Sequence, residues 1–110
     1  MAKKRINQNV RRVVQRYLEI LDREKFPIQA VFVFGSRTKN HARKGSDIDV
    51  AIISSRFRNS LDSATYLLRK AHEAIGRNNL YIEPHGFHPK DFVDENPLVW
   101  EIKSTGVRVK

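Results

Sequence analysis

Two short runs of β-branched and aromatic residues set the strongest limit on the fold: Ala30-Val31-Phe32-Val33-Phe34, and Ile48 followed by Val50 to Ile53. Each is bounded by polar or glycine-containing sequence, and each reads as a strand buried inside a sheet. Buried strands need helices to cover them, and the chain supplies these. Ile6, Val10, Val13, Val14, Tyr17, Leu18 and Leu21 recur at spacings of three and four. That stripe predicts an amphipathic helix over about 7–25, ending near Lys25 ahead of Pro27. Leu61, Ala64, Leu67, Leu68, Ala71 and Ile75 predict a second helix, with Ser60 as its N-cap and Gly76 as its stop. Leu80-Tyr81-Ile82-Glu83 reads as a third strand closed by Pro84, followed by a turn-rich stretch. A last helix runs from Pro97 to about Ser104, with Gly106 beyond its end. The predicted order is α, β, loop or short helix, β, α, β, α, an α/β chain of the α+β kind.

The 110 residues fit one compact domain, 1–110, with a basic N-terminal helix, a core over about 28–85 and a helical C-terminal segment over about 88–106. No separate substrate-holding domain is expected. The absence of cysteine excludes disulfides and Cys zinc sites. The longest apolar runs fall far short of the roughly 18 residues that span a bilayer, and the N-terminus lacks a signal-peptide stretch, so a cytoplasmic protein with no membrane partner is expected. Lys and Arg number 21 against 12 Asp and Glu, a net charge of +9. Six of those cations (Lys3, Lys4, Arg5, Arg11, Arg12, Arg16) precede the first acid, Glu19. Such a balance implies an anionic partner, whether nucleotide, nucleic acid or acidic protein, without choosing among them.

The chemistry is concentrated between the first two strands. Gly35-Ser36 stands where the first strand ends, and after ten intervening residues Asp47-Ile48-Asp49 enters the second. Residues two apart in a strand share a face, so the two carboxylates project together, about 6.6 Å apart along the backbone. Paired like charges at the end of a buried strand call for a cation, and Mg2+ suits oxygen ligands shared with substrate phosphates. Glycine permits close backbone approach, and a serine hydroxyl with free N–H groups makes a phosphate cradle. Arg37, Lys39, Arg43 and Lys44 surround that cradle with positive charge, and Ser46 precedes the acidic pair.

Gly35-Ser36, ten residues, Asp47-x-Asp49 resembles the signature of the minimal nucleotidyltransferases of the DNA polymerase beta nucleotidyltransferase superfamily. The resemblance covers nearly the whole chain and implies that superfamily's fold, a small mixed sheet flanked by helices. It implies nucleotidyl transfer from an ATP-like donor with two Mg2+ ions, Asp47 and Asp49 as metal ligands and catalytic residues, and Gly35, Ser36, Arg37 and Ser46 as nucleotide-binding residues. It also implies a third carboxylate from a later strand, for which Glu83 is the candidate; the family more usually has Asp there, and glycine where Asn40 stands. Similar chains are often paired with a small helical protein of the HEPN class in toxin-antitoxin systems. The acceptor implied is therefore a tyrosine hydroxyl of such a partner, modified with AMP (AMPylation).

Other residues carry weaker signals. His85 and His88 flank Gly86-Phe87 beside Glu83, but Mg2+ chemistry does not need them, and neither is assigned a role, nor are His41 and His72. Trp100, Phe87 and Phe92 are expected to pack the last helix. The competing expectation is a non-catalytic binding module that neutralises a helical partner by contact or holds nucleic acid through its basic surface.

Overall fold

A computed structural model describes residues 6–35, 47–57, 60–75 and 81–110. The apolar stripe of the first helix, α1 (Gln8–Arg23), is buried at Val10, Val13, Val14, Tyr17 and Leu21, as its spacing requires. Asn7 caps it by accepting the Asn9 N–H through its side-chain oxygen at 2.7 Å. The other elements are β1 (Ala30–Phe34), β2 (Ile48–Ile53), α2 (Ser60–Ile75), β3 (Ile82–Phe87), a single 3-10 turn (Pro89–Asp91), α3 (Pro97–Thr105) and β4 (Val107–Arg108). Three helices and a four-stranded mixed sheet thus make up the described fold, the α+β arrangement expected from the sequence. Among the described residues, no helix is long and apolar enough to cross a membrane.

The strands lie in the order β3-β2-β1-β4. β1 runs antiparallel to β2 and to β4, and β2 runs parallel to β3. The alternation of side chains then sorts the sheet into two unlike faces. Val31 and Val33 of β1, Ile48, Val50 and Ile52 of β2 and Ile82 of β3 join the α1 stripe and Leu67, Ala71 and Ala74 of α2 in the main core. Burying each such large side chain contributes about 1.5–3 kcal/mol, so this face carries most of the stability. On the opposite face Phe34, Ala51 and Ile102 of α3 cluster with Phe32, Phe87 and Phe92, and Phe34 borders the end at which this face meets Asp49.

Three expectations need correction. Pro84 does not close the third strand but lies inside it, opposite Val50. β3 is an edge strand with a neighbour on one side only, so a residue lacking an N–H fits where that N–H would face the free edge. The core and the turn-rich stretch are displaced accordingly, because the strand runs on through His85 and Gly86 to Phe87. The last helix is followed by β4, beyond the expected helical segment, which pairs with Phe32 and Val33 of β1, so the predicted order gains a final strand. Finally, α1 stops two residues early. Lys25 adopts φ +59°, donates its N–H to the Asp22 carbonyl, and lets the Phe26 N–H reach the Leu21 carbonyl, which is a Schellman ending. The side chain of Ser60, the stop at Gly76 and the N-terminal Lys3, Lys4 and Arg5 lie outside what is described.

Candidate active site

The polar end of the second sheet face is built by strand register. Phe34 pairs with Asp49 across the β1–β2 ladder, and Asp49 stands beside Glu83 across the β2–β3 ladder. His85, two residues beyond Glu83, projects from the same face and lies opposite Ala51, whose small side chain leaves room for the ring. As a result Asp49, Glu83 and His85 each offer one ligand atom, all within 4.8 Å of one another. His85 Nε2 lies 3.2 Å from Asp49 Oδ1. The imidazole packs edge-on against the buried Phe34 ring, with centroids 5.1 Å apart at 60°. Asp49 and His85 are each a little over a quarter exposed, and Glu83 is exposed, so the cluster is anchored in the sheet yet open to ligand.

Gly35 completes the near wall. Its φ is +80°, and a Cβ at this position would stand 2.5 Å from Asp49 Oδ2. The carboxylate of Asp49 therefore lies directly over the backbone at the end of β1, in space that only glycine leaves free. The atoms that a Cβ at Gly35 would meet are those of the Asp49 side chain, a contact that the reading of Gly35 as part of a phosphate cradle did not anticipate.

Asp47 is exposed at the start of β2, and the Ile48 N–H bonds the Tyr81 carbonyl at 2.6 Å to open the β2–β3 ladder. Asp47 is not part of the three-residue group. Ser36, Arg37 and Ser46, with Lys39, Asn40, His41, Arg43 and Lys44, lie outside the described residues. His88 stays apart from the cluster, its Nδ1 accepting the Lys90 N–H at 3.0 Å to cap the 3-10 turn. Trp100 is 59% exposed, so it does not supply the packing expected of it; Phe87 and Phe92 do, with their rings 5.4 Å apart.

The residue that sequence reasoning undervalued is His85. Reading Pro84 as the end of a strand placed His85 in a turn. The signal that finds it is the two-residue spacing from Glu83, once a proline is allowed within an edge strand.

The donor set suits a divalent cation: two carboxylates bring charge and hard oxygen atoms, and the imidazole adds a nitrogen. A family profile described as polymerase beta, nucleotidyltransferase matches residues 15–96, which include β1, β2, α2, β3 and every member of the cluster. A comparison with curated proteins finds no match.

Proposed function

Since the chain belongs to the polymerase beta nucleotidyltransferase family, we propose that it transfers AMP from ATP to a hydroxyl acceptor and releases pyrophosphate. The acceptor in this reading is a tyrosine of a small helical partner of the HEPN class, which the chain neutralises as an antitoxin. The convergence of Asp49 and Glu83 beside Gly35, inside the span matched to the family, carries the enzymatic part. The resemblance to minimal nucleotidyltransferases supports the acceptor and partner.

The roles of Asp49 and Glu83 rest on position and charge, and those of Ser36, Arg37 and Ser46 on the resemblance to minimal nucleotidyltransferases. Asp49 and Glu83, with Asp47 at the head of β2, hold the divalent cation, Mg2+. When bound, such an ion neutralises triphosphate charge and polarises the reacting oxygens. Gly35, Ser36 and Arg37, with Ser46, hold the triphosphate tail. Glu83, exposed at the edge of the sheet, takes the proton from the acceptor hydroxyl in this reading as that hydroxyl's oxygen bonds the α-phosphorus. The bond from that phosphorus to the pyrophosphate breaks on the opposite side. Positioning and charge neutralisation supply most of the acceleration in this class of reaction.

The test is purified protein with labelled ATP, Mg2+ and a HEPN-class partner. Label is expected on a partner tyrosine, and Asp49→Asn should lower transfer by at least about 100-fold with an unchanged thermal melt. Native-rate transfer by Asp49→Asn would remove the assignment. Tight complex formation without label would replace the enzyme by a binding module.

A further inference from the structure

We propose that His85 is a third protein ligand at the cation site, and that its imidazole makes the site prefer a transition-metal dication of the Co2+ or Zn2+ class over Mg2+. This rests on the reading of Asp49 and Glu83 as cation ligands.

Three observations carry the inference. The first is placement: Glu83 and His85 sit two apart on one face of β3, and the adjacent β2 places Asp49 beside Glu83 and the small Ala51 beside His85. The second is aim. His85 Nε2 lies 3.2 Å from Asp49 Oδ1, and a ring nitrogen of His85 lies within 4.8 Å of an oxygen of Asp49 and of Glu83. The third is preorganisation, because the ring edge rests on Phe34, itself only 6% exposed, so the core sets where the imidazole stands. The His85 side chain nonetheless remains 29% exposed, which leaves it reachable.

The choice of metal follows from the chemistry of the third donor. Mg2+ takes oxygen ligands and keeps several waters, so a neutral imidazole offers it little. Borderline ions bind imidazole well, and they also accept the two carboxylates. A nitrogen contributed by the protein therefore strengthens one class of ion selectively. A merely structural His85, bonded to Asp49 to orient it, would affect every ion through that carboxylate and would show no such preference.

Calorimetric titration of the full chain with CoCl2 and with MgCl2, on the native protein and on His85→Asn, separates these cases. Native protein should bind Co2+ more tightly than Mg2+. His85→Asn should weaken Co2+ binding by at least about tenfold while leaving Mg2+ affinity within about twofold. His88→Asn should change neither, since asparagine can keep the cap of the 3-10 turn. NMR of the native Co2+-loaded chain should show hyperfine-shifted ring resonances from His85, a readout that depends on no variant's folding. Equal weakening of both ions, unchanged Co2+ affinity, or an unshifted His85 ring would overturn the proposal and leave the carboxylate site intact. If neither ion bound the native chain, the underlying cation-site reading would fail as well.

Discussion

At Gly35, two independent strains meet any side chain. The backbone is in the left-handed region at φ +80°, and the space for a Cβ is taken by Asp49 Oδ2. Gly35→Ala is expected to cost about 1–2 kcal/mol from the backbone alone, before any displacement of Asp49. Urea unfolding should show the loss, and calorimetry should show weaker cation binding; a variant with native affinity would mean that Asp49 does not depend on this contact. Lys25 presents the opposite case. It occupies the left-handed position of the α1 Schellman ending at φ +59° with a full side chain. Lys25→Gly removes that strain but adds freedom to the unfolded chain, for a net gain of about 0.5 kcal/mol. An unchanged or lower urea midpoint would contradict this. The two positions also differed in legibility. Gly35 follows an apolar run and precedes Ser36, so a need for glycine could be read locally though its contact with Asp49 could not, whereas nothing near Lys25 announces a left-handed lysine.

Among the elements, α1 and the paired strands β1 and β2 were legible because each buries a continuous pattern of apolar side chains. β3 was legible at Ile82 and Glu83 but not beyond, because its ladder tolerates the Pro84 that normally signals a stop. The seam between α1 and α2 was equally silent in sequence, since it joins residues more than 40 positions apart. Tyr17, fully buried, donates its hydroxyl to the Leu67 carbonyl at 2.9 Å, and burial pushes its phenol far above the usual range. At the seam's end, Glu24 Oε2 accepts the Tyr66 hydroxyl at 2.6 Å and meets Lys70 Nζ at 2.8 Å. The Lys70 hydrogen bond, then that of Tyr66, holds the Glu24 carboxyl below its ordinary value of 4.5. The unfolded chain therefore binds this proton at higher pH than the folded chain does, and stability from the pair is present above about pH 4.5 and lost as pH falls through the folded value. Lys70 is held above 10.5, chiefly by its hydrogen bond to Glu24, so on the alkaline side the contribution is full below that value and lost as pH rises through the folded one. Glu24→Gln should flatten both limbs of a stability–pH curve measured by thermal melting. Curves that differ only by a constant offset would show that the pair does not titrate in this way.

For the whole molecule, β4 is the piece that ties the C-terminal residues to the sheet, and its two residues carry too little pattern to be read as a strand. It covers the second edge of β1: Phe32 pairs with Arg108 and Val33 with Val107, the Val31 N–H bonds the Lys110 carbonyl at 3.0 Å, and the Val109 N–H bonds the Val31 carbonyl at 2.9 Å. Val107 and Val109 also pack on the main core. A chain ending at Gly106 would lose these apolar contacts and expose the β1 edge. The expected cost is about 2–4 kcal/mol, combining partial burial of two valines with net hydrogen-bond terms of about 1 kcal/mol each. A bare β1 edge is also a template for pairing with another chain, so self-association should rise with concentration. Because β1 leads directly into Gly35, loosening it should weaken the grip on Asp49 and lower cation affinity more than the stability loss alone would while the chain remains folded. Urea unfolding, sedimentation and calorimetry on the shortened chain test these effects together. A native midpoint, or a lowered midpoint with native cation affinity, would separate the C-terminal strand from the site and leave β1 positioned by β2 alone.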